Sequence, residues 1–201
     1  MKTTAFSFLI IFLTAVGFNS GSAQAQEDVV KDRNFKFELE PASFALRGFA
    51  GSFLYNITKD NKLALGIYGA TLDVPVWSRP SIFENVGEDT SSVRLGMQIA
   101  LMVRYKLQLF DQWESNPYVG FIFGYEYFDV TQPSYSEKVR LSTLVATPYV
   151  GYEFYFFKQM LFINPQLRAV FYAGQKTSDA SRPEKIGSFF MLPQISLGVR
   201  F

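Results

Sequence analysis

From Val93 to Leu107 the chain alternates without a break between two kinds of side chain. Val93, Leu95, Met97, Ile99, Leu101, Val103, Tyr105 and Leu107 fall on one side. Arg94, Gly96, Gln98, Ala100, Met102, Arg104 and Lys106 fall on the other. A period of two belongs to an extended strand, not to a helix. The run is also long, because strands of soluble proteins usually span about five or six residues.

The same alternation recurs along the chain. It predicts strands over 34–41, 44–57, 62–74, 90–107, 116–130, 139–156, 160–174 and 186–201. Short connections (58–61, 108–115, 157–159) alternate with longer or more polar ones (75–89, 131–138, 175–185). Short turns at one end and long loops at the other mark a transmembrane barrel. Counting back from a last strand that ends at the turn side gives seven strands, of which 44–57 and 62–74 alternate less cleanly. An even number then requires 34–41 as the eighth, with Pro41–Ser43 as a tight turn between the first two. The expected fold is all-β: a transmembrane antiparallel up-and-down β-barrel of eight strands.

The first residues read differently. Lys2 precedes an apolar run from Ala5 to Phe18, and Ala23 and Ala25 stand as an A-x-A cleavage site. A helix of that length reaches about 21 Å, short of a ~30 Å hydrocarbon core. The organisation expected is a signal peptide over 1–25, a short segment 26–33 and a barrel over 34–201.

Periodicity cannot say which face is outside, since a soluble barrel alternates with its apolar face inward. Glycine and aromatic placement point to an apolar exterior. Gly96, Gly120, Gly124, Gly151 and Gly198 all share the polar side, where a narrow lumen would need small residues. Tyr55, Tyr105, Phe154, Phe156 and Phe201 cluster near the short turns, and Tyr125, Tyr127, Phe171 and Phe189 near the long loops. Two such belts suit two membrane interfaces.

The chain ends in QISLGVRF, with Ile195, Leu197 and Val199 alternating before the terminal Phe201. This pattern resembles the outer-membrane β-barrel proteins of Gram-negative bacteria, in particular the small barrels of the OmpA, OmpX, OmpW and opacity type. The resemblance covers residues 34–201 as a pattern. It implies residence in the cell outer membrane. It also implies that Ile195, Leu197, Val199 and Phe201 are read as an assembly signal by the barrel-assembly machinery.

Composition limits the chemistry. With 19 basic and 18 acidic residues the chain has no electrostatic footprint for nucleic acid. Histidine and cysteine are both 0, which removes the commonest general base, the commonest metal ligand and every thiol function. Small outer-membrane enzymes rely on a catalytic histidine, so no catalysis and no cofactor are expected.

The polar face supplies a candidate lumen network of Arg94, Gln98, Arg104, Glu126, Glu153, Asn164, Gln166, Arg168 and Arg200. Lys36, Glu38 and Glu40 share its parity. Charges in a narrow interior must pair. Glu126 and Glu153 belong to opposite ends and are unsuited to joint acid–base work. In the loop 75–92, Trp77, Ile82 and Phe83 are candidates for contact with a surface partner, the alternative being that they pack onto the rim of their own barrel or onto lipid headgroups. The loop 175–185 holds no large apolar side chain and is expected to be mobile.

The expected role is structural or surface-interacting, in a monomer surrounded by outer-membrane lipid and lipopolysaccharide. The alternative is a small channel or carrier for apolar or small solutes.

Overall fold

A computed structural model describes residues 34–58, 60–84, 86, 92–107, 109, 117–132, 137–179 and 184–201. The expected signal peptide and the segment 26–33 lie outside the described residues. So do Lys59, most of 85–91 and 108–116, and residues 133–136 and 180–183.

Residues 34–201 form one unit built on strands. In chain order these are β1 (Phe35–Leu39), β2 (Phe49–Asn56), β3 (Leu63–Asp73), β4 (Phe83–Glu84), β5 (Ser92–Lys106), β6 (Pro117–Thr131), β7 (Val139–Tyr152), β8 (Phe154–Phe156), β9 (Leu161–Thr177), β10 (Lys185–Ile186) and β11 (Phe189–Arg200). Strand β8 continues β7 past an interruption at Glu153, and both pair with β9. Each long strand pairs antiparallel with its neighbours in sequence, and β11 pairs with both β9 and β1. The result is a closed ring of eight staves, counting β7 and β8 as one. Closure is sealed by reciprocal bonds: Phe35 N–H donates to Phe201 O at 2.9 Å and Phe201 N–H to Phe35 O at 3.0 Å. A closed ring leaves no unpaired strand edge, the condition for strands to cross lipid.

The facing is decided by exposure. Ile67, Ile99, Leu101 and Ile195 are each between 58% and 68% exposed on the outside, whereas Leu54, Met102 and Phe162 are buried inside. A soluble barrel would show the reverse. The outer apolar face carries aromatic clusters at both ends: Phe35 packs with Tyr55 and Phe201 near the turns, and Phe171 with Phe189 near the loops.

The structure corrects the first hairpin. Residues 41–45 form a helical turn, α1 (Pro41–Ala45), instead of a three-residue turn, and the second strand begins at Phe49 rather than 44. Pro41 in the first turn fits a helix start, where its missing N–H is no loss. The Ser43 hydroxyl fastens the turn, donating to Glu40 O at 2.7 Å and accepting from Ala50 N–H at 3.0 Å. Arg47 then takes a left-handed φ of 54°. Gly48 follows because a Cβ there would run into Thr71 O and Leu72 of β3.

A second correction concerns parity in β5. The register with β6 pairs Leu95 with Phe128 and Met97 with Tyr127, so Gly96 is an extra, bulged residue. A bulge of one residue turns every side chain beyond it to the other face. Val93 and Leu95 therefore point inward and are buried, while Arg94 points outward. Gly96 sits under the Tyr127 ring, not in the lumen, and a Cβ there would collide with that ring.

Candidate functional site

The interior falls into two parts, a polar half towards the turns and an apolar half towards the loops. Strand β1 organises the polar half. Residues of one face recur every second position, so Lys36, Glu38 and Glu40 project inward together, and all three are buried. Each meets an opposite charge from another strand.

Lys36 Nζ donates to both oxygens of Glu153, at 2.9 and 2.7 Å. Glu38 accepts both arms of the Arg104 guanidinium, and Arg104 Nη1 also reaches Glu153 Oε1 at 2.7 Å. Arg168 Nη2 donates to Glu40 Oε1 at 2.9 Å. The remaining lone pairs are filled as well. Asn164 Nδ2 and the Ser196 hydroxyl donate to Glu38 Oε2. Tyr68 OH donates to Glu40 Oε2 and Tyr155 OH to Glu153 Oε2. Arg168 further donates to Gln166 Oε1, and Gln166 Nε2 to the Ser196 hydroxyl. Removing one partner of such a pair leaves a buried charge at a cost of several kcal/mol. Full satisfaction is what makes the network tolerable.

Aromatic rings fill the space around these charges. The Arg104 guanidinium lies 4.3 Å from the Tyr118 ring centroid, and that of Arg168 lies 4.9 Å from Tyr68. Lys36, Lys106 and Arg200 surround the Tyr155 ring. Three of the inner rings lie against a glycine of the neighbouring strand. Tyr118 pairs with Gly151, Tyr149 with Gly120, and Phe162 with Gly198. In each pair a Cβ on the glycine would collide with the ring.

The loop half is closed by the chain itself. A short 3-10 turn (Val76–Ser78) leads into α2 (Arg79–Ile82), which turns the loop after β3 back over the barrel mouth. Ile82 and Phe83 are buried in one apolar cluster with Val93, Leu95, Phe128, Val130, Leu141 and Ile186. Phe83 meets Phe128 edge to face at 4.9 Å. Strand β4 pairs with β10 from the loop after β9, and Gly187 N–H donates to Ile82 O at 2.7 Å.

Several expected residues are therefore placed differently. Arg94 is outside, paired with Asp73 at 2.7 Å, because of the Gly96 bulge. Ile82 and Phe83 are not offered to a partner but plug the barrel mouth; of the three loop candidates only Trp77, 81% exposed, faces solvent. The loop 175–185 is not uniformly loose: β9 runs on to Thr177, Glu184 is buried, and Gln132 donates to Glu184 at 2.9 Å. Arg104, Glu153, Asn164, Gln166, Arg168 and Arg200 lie in the polar half, with Gln98 and Glu126 nearer the loops.

Glu126 is hydrogen-bonded by Tyr172 and does not reach Glu153. It stands nine residues along β6 from Pro117, which faces Tyr152, the neighbour of Glu153. At ~3.3 Å per residue their backbone positions are about 30 Å apart along the strands, so the two carboxylates belong to opposite ends of the interior. Ile195, Leu197 and Phe201 are exposed on the outer face, with Val199 half-buried on the same side. The hydroxyls of Tyr68, Tyr118 and Tyr155 join the network without having been expected in it. Their inward parity is readable, but the reach of each hydroxyl depends on the register.

No family model and no curated protein matches the chain. Solved structures do. The chain is similar to the N-terminal β-barrel domain of Pseudomonas aeruginosa OprF, with TM-score 0.51 and 14% identity over 84% of this chain and 98% of that one. It is similar also to a major outer membrane protein from Thermus thermophilus, with TM-score 0.50 and 12% identity over 85% of this chain and 100% of that one.

The fold is that of an outer-membrane β-barrel. Its apolar outer face is that of a barrel that crosses a membrane through its strands.

Proposed function

We propose that this protein is a non-catalytic barrel, sealed by its own side chains, with a structural or surface-interaction role. One observation carries the reading: the charge ladder Lys36–Glu153, Glu38–Arg104 and Glu40–Arg168 ties β1 to β5, to β9 and to the β7–β8 junction across the interior. An eight-stranded lumen is just wide enough for side chains. A ladder across it, with the apolar plug of Ile82 and Phe83 above, supports a closed interior.

The absence of catalysis is supported by chemistry. The chain has no histidine or cysteine. Glu38, Glu40 and Glu153 are already engaged by cations, which ties up the oxygens a substrate would need to meet. The protein acts as a monomer in outer-membrane lipid, inserted by the barrel-assembly machinery through the outer face of its last strand.

Conductance in a planar bilayer tests the reading. Wild-type protein is expected to add no steady ion current. A discrete open level in the wild type would favour the second reading, a small channel. That reading draws on the side-chain amide of Asn56, Glu126 Oε1 and Gln194 Oε1, which are buried without hydrogen-bond partners among the described residues.

A further inference from the structure

The outer face changes character row by row towards the loops. One row holds Ile99, Tyr125, Leu144 and Ala173, with no charge. The next outward row holds Met97, Tyr127, Ser142 and Lys176. The row above it holds Asp73, Arg94, Asp129 and Arg140. Successive outward rows are about 7 Å apart along a strand. The charged row is thus continuous with the lipid-facing belt and lies at its upper margin. Arg94 belongs to it only because the Gly96 bulge reverses parity.

The charges are held, not loose. Arg94 Nη1 donates to Asp73 Oδ1 at 2.7 Å. Arg140 donates twice to Asp129, through Nε at 2.8 Å and Nη2 at 3.3 Å, while Lys138 Nζ reaches the same carboxylate at 3.0 Å. The Arg140 guanidinium also lies 4.1 Å from the Tyr127 ring centroid. These contacts fix orientation without hiding the cations: the side chains of Arg94, Arg140 and Lys138 are 46%, 45% and 58% exposed. Lys176 is exposed as well. Three cations on these rows, with Lys138 beside them, face the carboxylates Asp73 and Asp129; among the described residues Glu84, Glu137, Asp179 and Glu184 are the acids of the flanking connections.

We infer that this ridge, Arg94, Lys138, Arg140 and Lys176, binds the phosphate groups of a phosphorylated glycolipid headgroup in the surrounding leaflet. Guanidinium and ammonium groups donate charge-assisted bonds to phosphate, and arginine does so in a fixed fork. Tyr127 and Tyr125 beneath them offer the amphipathic surface that suits the headgroup–acyl boundary. A lipid reaches the ridge with its chains on the Ile99 row and its phosphates at the charged row. The inference rests on residence in the outer membrane, which cell fractionation tests separately.

Retention of lipid A by the folded protein in zwitterionic detergent, read by native mass spectrometry, tests the ridge. Wild type is expected to retain bisphosphorylated lipid A at least tenfold better than its dephosphorylated form. The quadruple variant R94Q/K138Q/R140Q/K176Q should lose most of that preference, and K138Q and K176Q alone, which disturb no packing, should each lower retention two- to threefold. Lys62→Gln at the turn end should change nothing. Equal retention by the single and quadruple variants, or equal retention of the dephosphorylated lipid, overturns the inference. Complete displacement by inorganic phosphate at millimolar concentration also overturns it, by revealing a site for the free anion.

Discussion

Glu38 and Arg104, 66 residues apart in sequence, meet inside the barrel through two hydrogen bonds, Nη1 to Oε1 at 2.5 Å and Nη2 to Oε2 at 3.1 Å. Both side chains are at most 3% exposed. Arg104 also bonds Glu153, which in turn holds Lys36, so the pair couples β1, β5 and the β7–β8 junction. The ladder therefore connects staves that no backbone pairing joins.

Glu38→Gln should accordingly cost about 3 kcal/mol, because it leaves Arg104 buried with less compensation. Replacing both partners, as E38L/R104M, should recover much of the loss, since an apolar pair of similar volume removes the charge altogether. Reversible unfolding in detergent with urea checks this. A Glu38→Gln protein as stable as wild type would show that the ladder contributes nothing to holding the staves together.

The bulge at Gly96 makes a sharp prediction about facing. The chain has no cysteine, so single cysteines can be placed and labelled cleanly. Cysteines at 94, 97 and 99 should react with a reagent outside the barrel, and those at 93 and 95 should be protected. Uniform alternation would instead protect 94 and expose 93 and 95. Ile99→Arg should cost about 2–4 kcal/mol at mid-depth on the lipid face.

How far this fold was legible follows from what a strand leaves in a sequence. Alternation in residues 97–105 or 117–127 is imposed by different surroundings on the two faces, so the strands could be read directly; their number needed the parity of the connections, and the outward face needed the placement of glycines and aromatics. The Gly96 bulge leaves no such trace, since one inserted residue preserves alternation while reversing its meaning. The turn at Pro41–Ala45 is also silent, because its amphipathic spacing is too short to separate from a strand. In the interior, parity placed Lys36, Glu38 and Glu40 correctly, but their partners depend on register across the closed ring. The fate of Ile82 and Phe83 was legible only as a choice. Apolar residues in a loop either meet a partner or their own barrel, and composition does not decide between them.

Gly151 and Gly198 test the crowding of the inner wall. A Cβ on Gly151 would collide with the Tyr118 ring, and one on Gly198 with the Phe162 ring. Gly198→Ala should therefore destabilise by about 1–3 kcal/mol through overpacking. Pairing it with Phe162→Leu should be less costly than the sum of the two single changes, because the smaller side chain yields the space. Strict additivity in a double-mutant cycle would mean that ring and wall do not touch.

The loop clasp gives the last prediction. Phe83 and Ile186 are buried at the barrel mouth, and their strands bring the loop after β3 against the loop after β9. Burying a side chain of this size stabilises by about 1.5–3 kcal/mol, which is ample to hold a short connection down but small against the whole barrel. Phe83→Ala should then open the clasp locally while the staves remain closed. Trypsin added to intact cells should cut wild type slowly at Lys185, which lies in the β4–β10 pairing. In the Phe83→Ala protein cleavage at Lys185 should accelerate at least tenfold, with Lys158 in the opposite turn still spared and heat-modifiable migration on a gel unchanged. Cleavage at Lys158 in intact cells would place the turns outside and invert the topology. An unchanged rate at Lys185 would mean that β4 and β10 are held by something other than the apolar side chains beneath them.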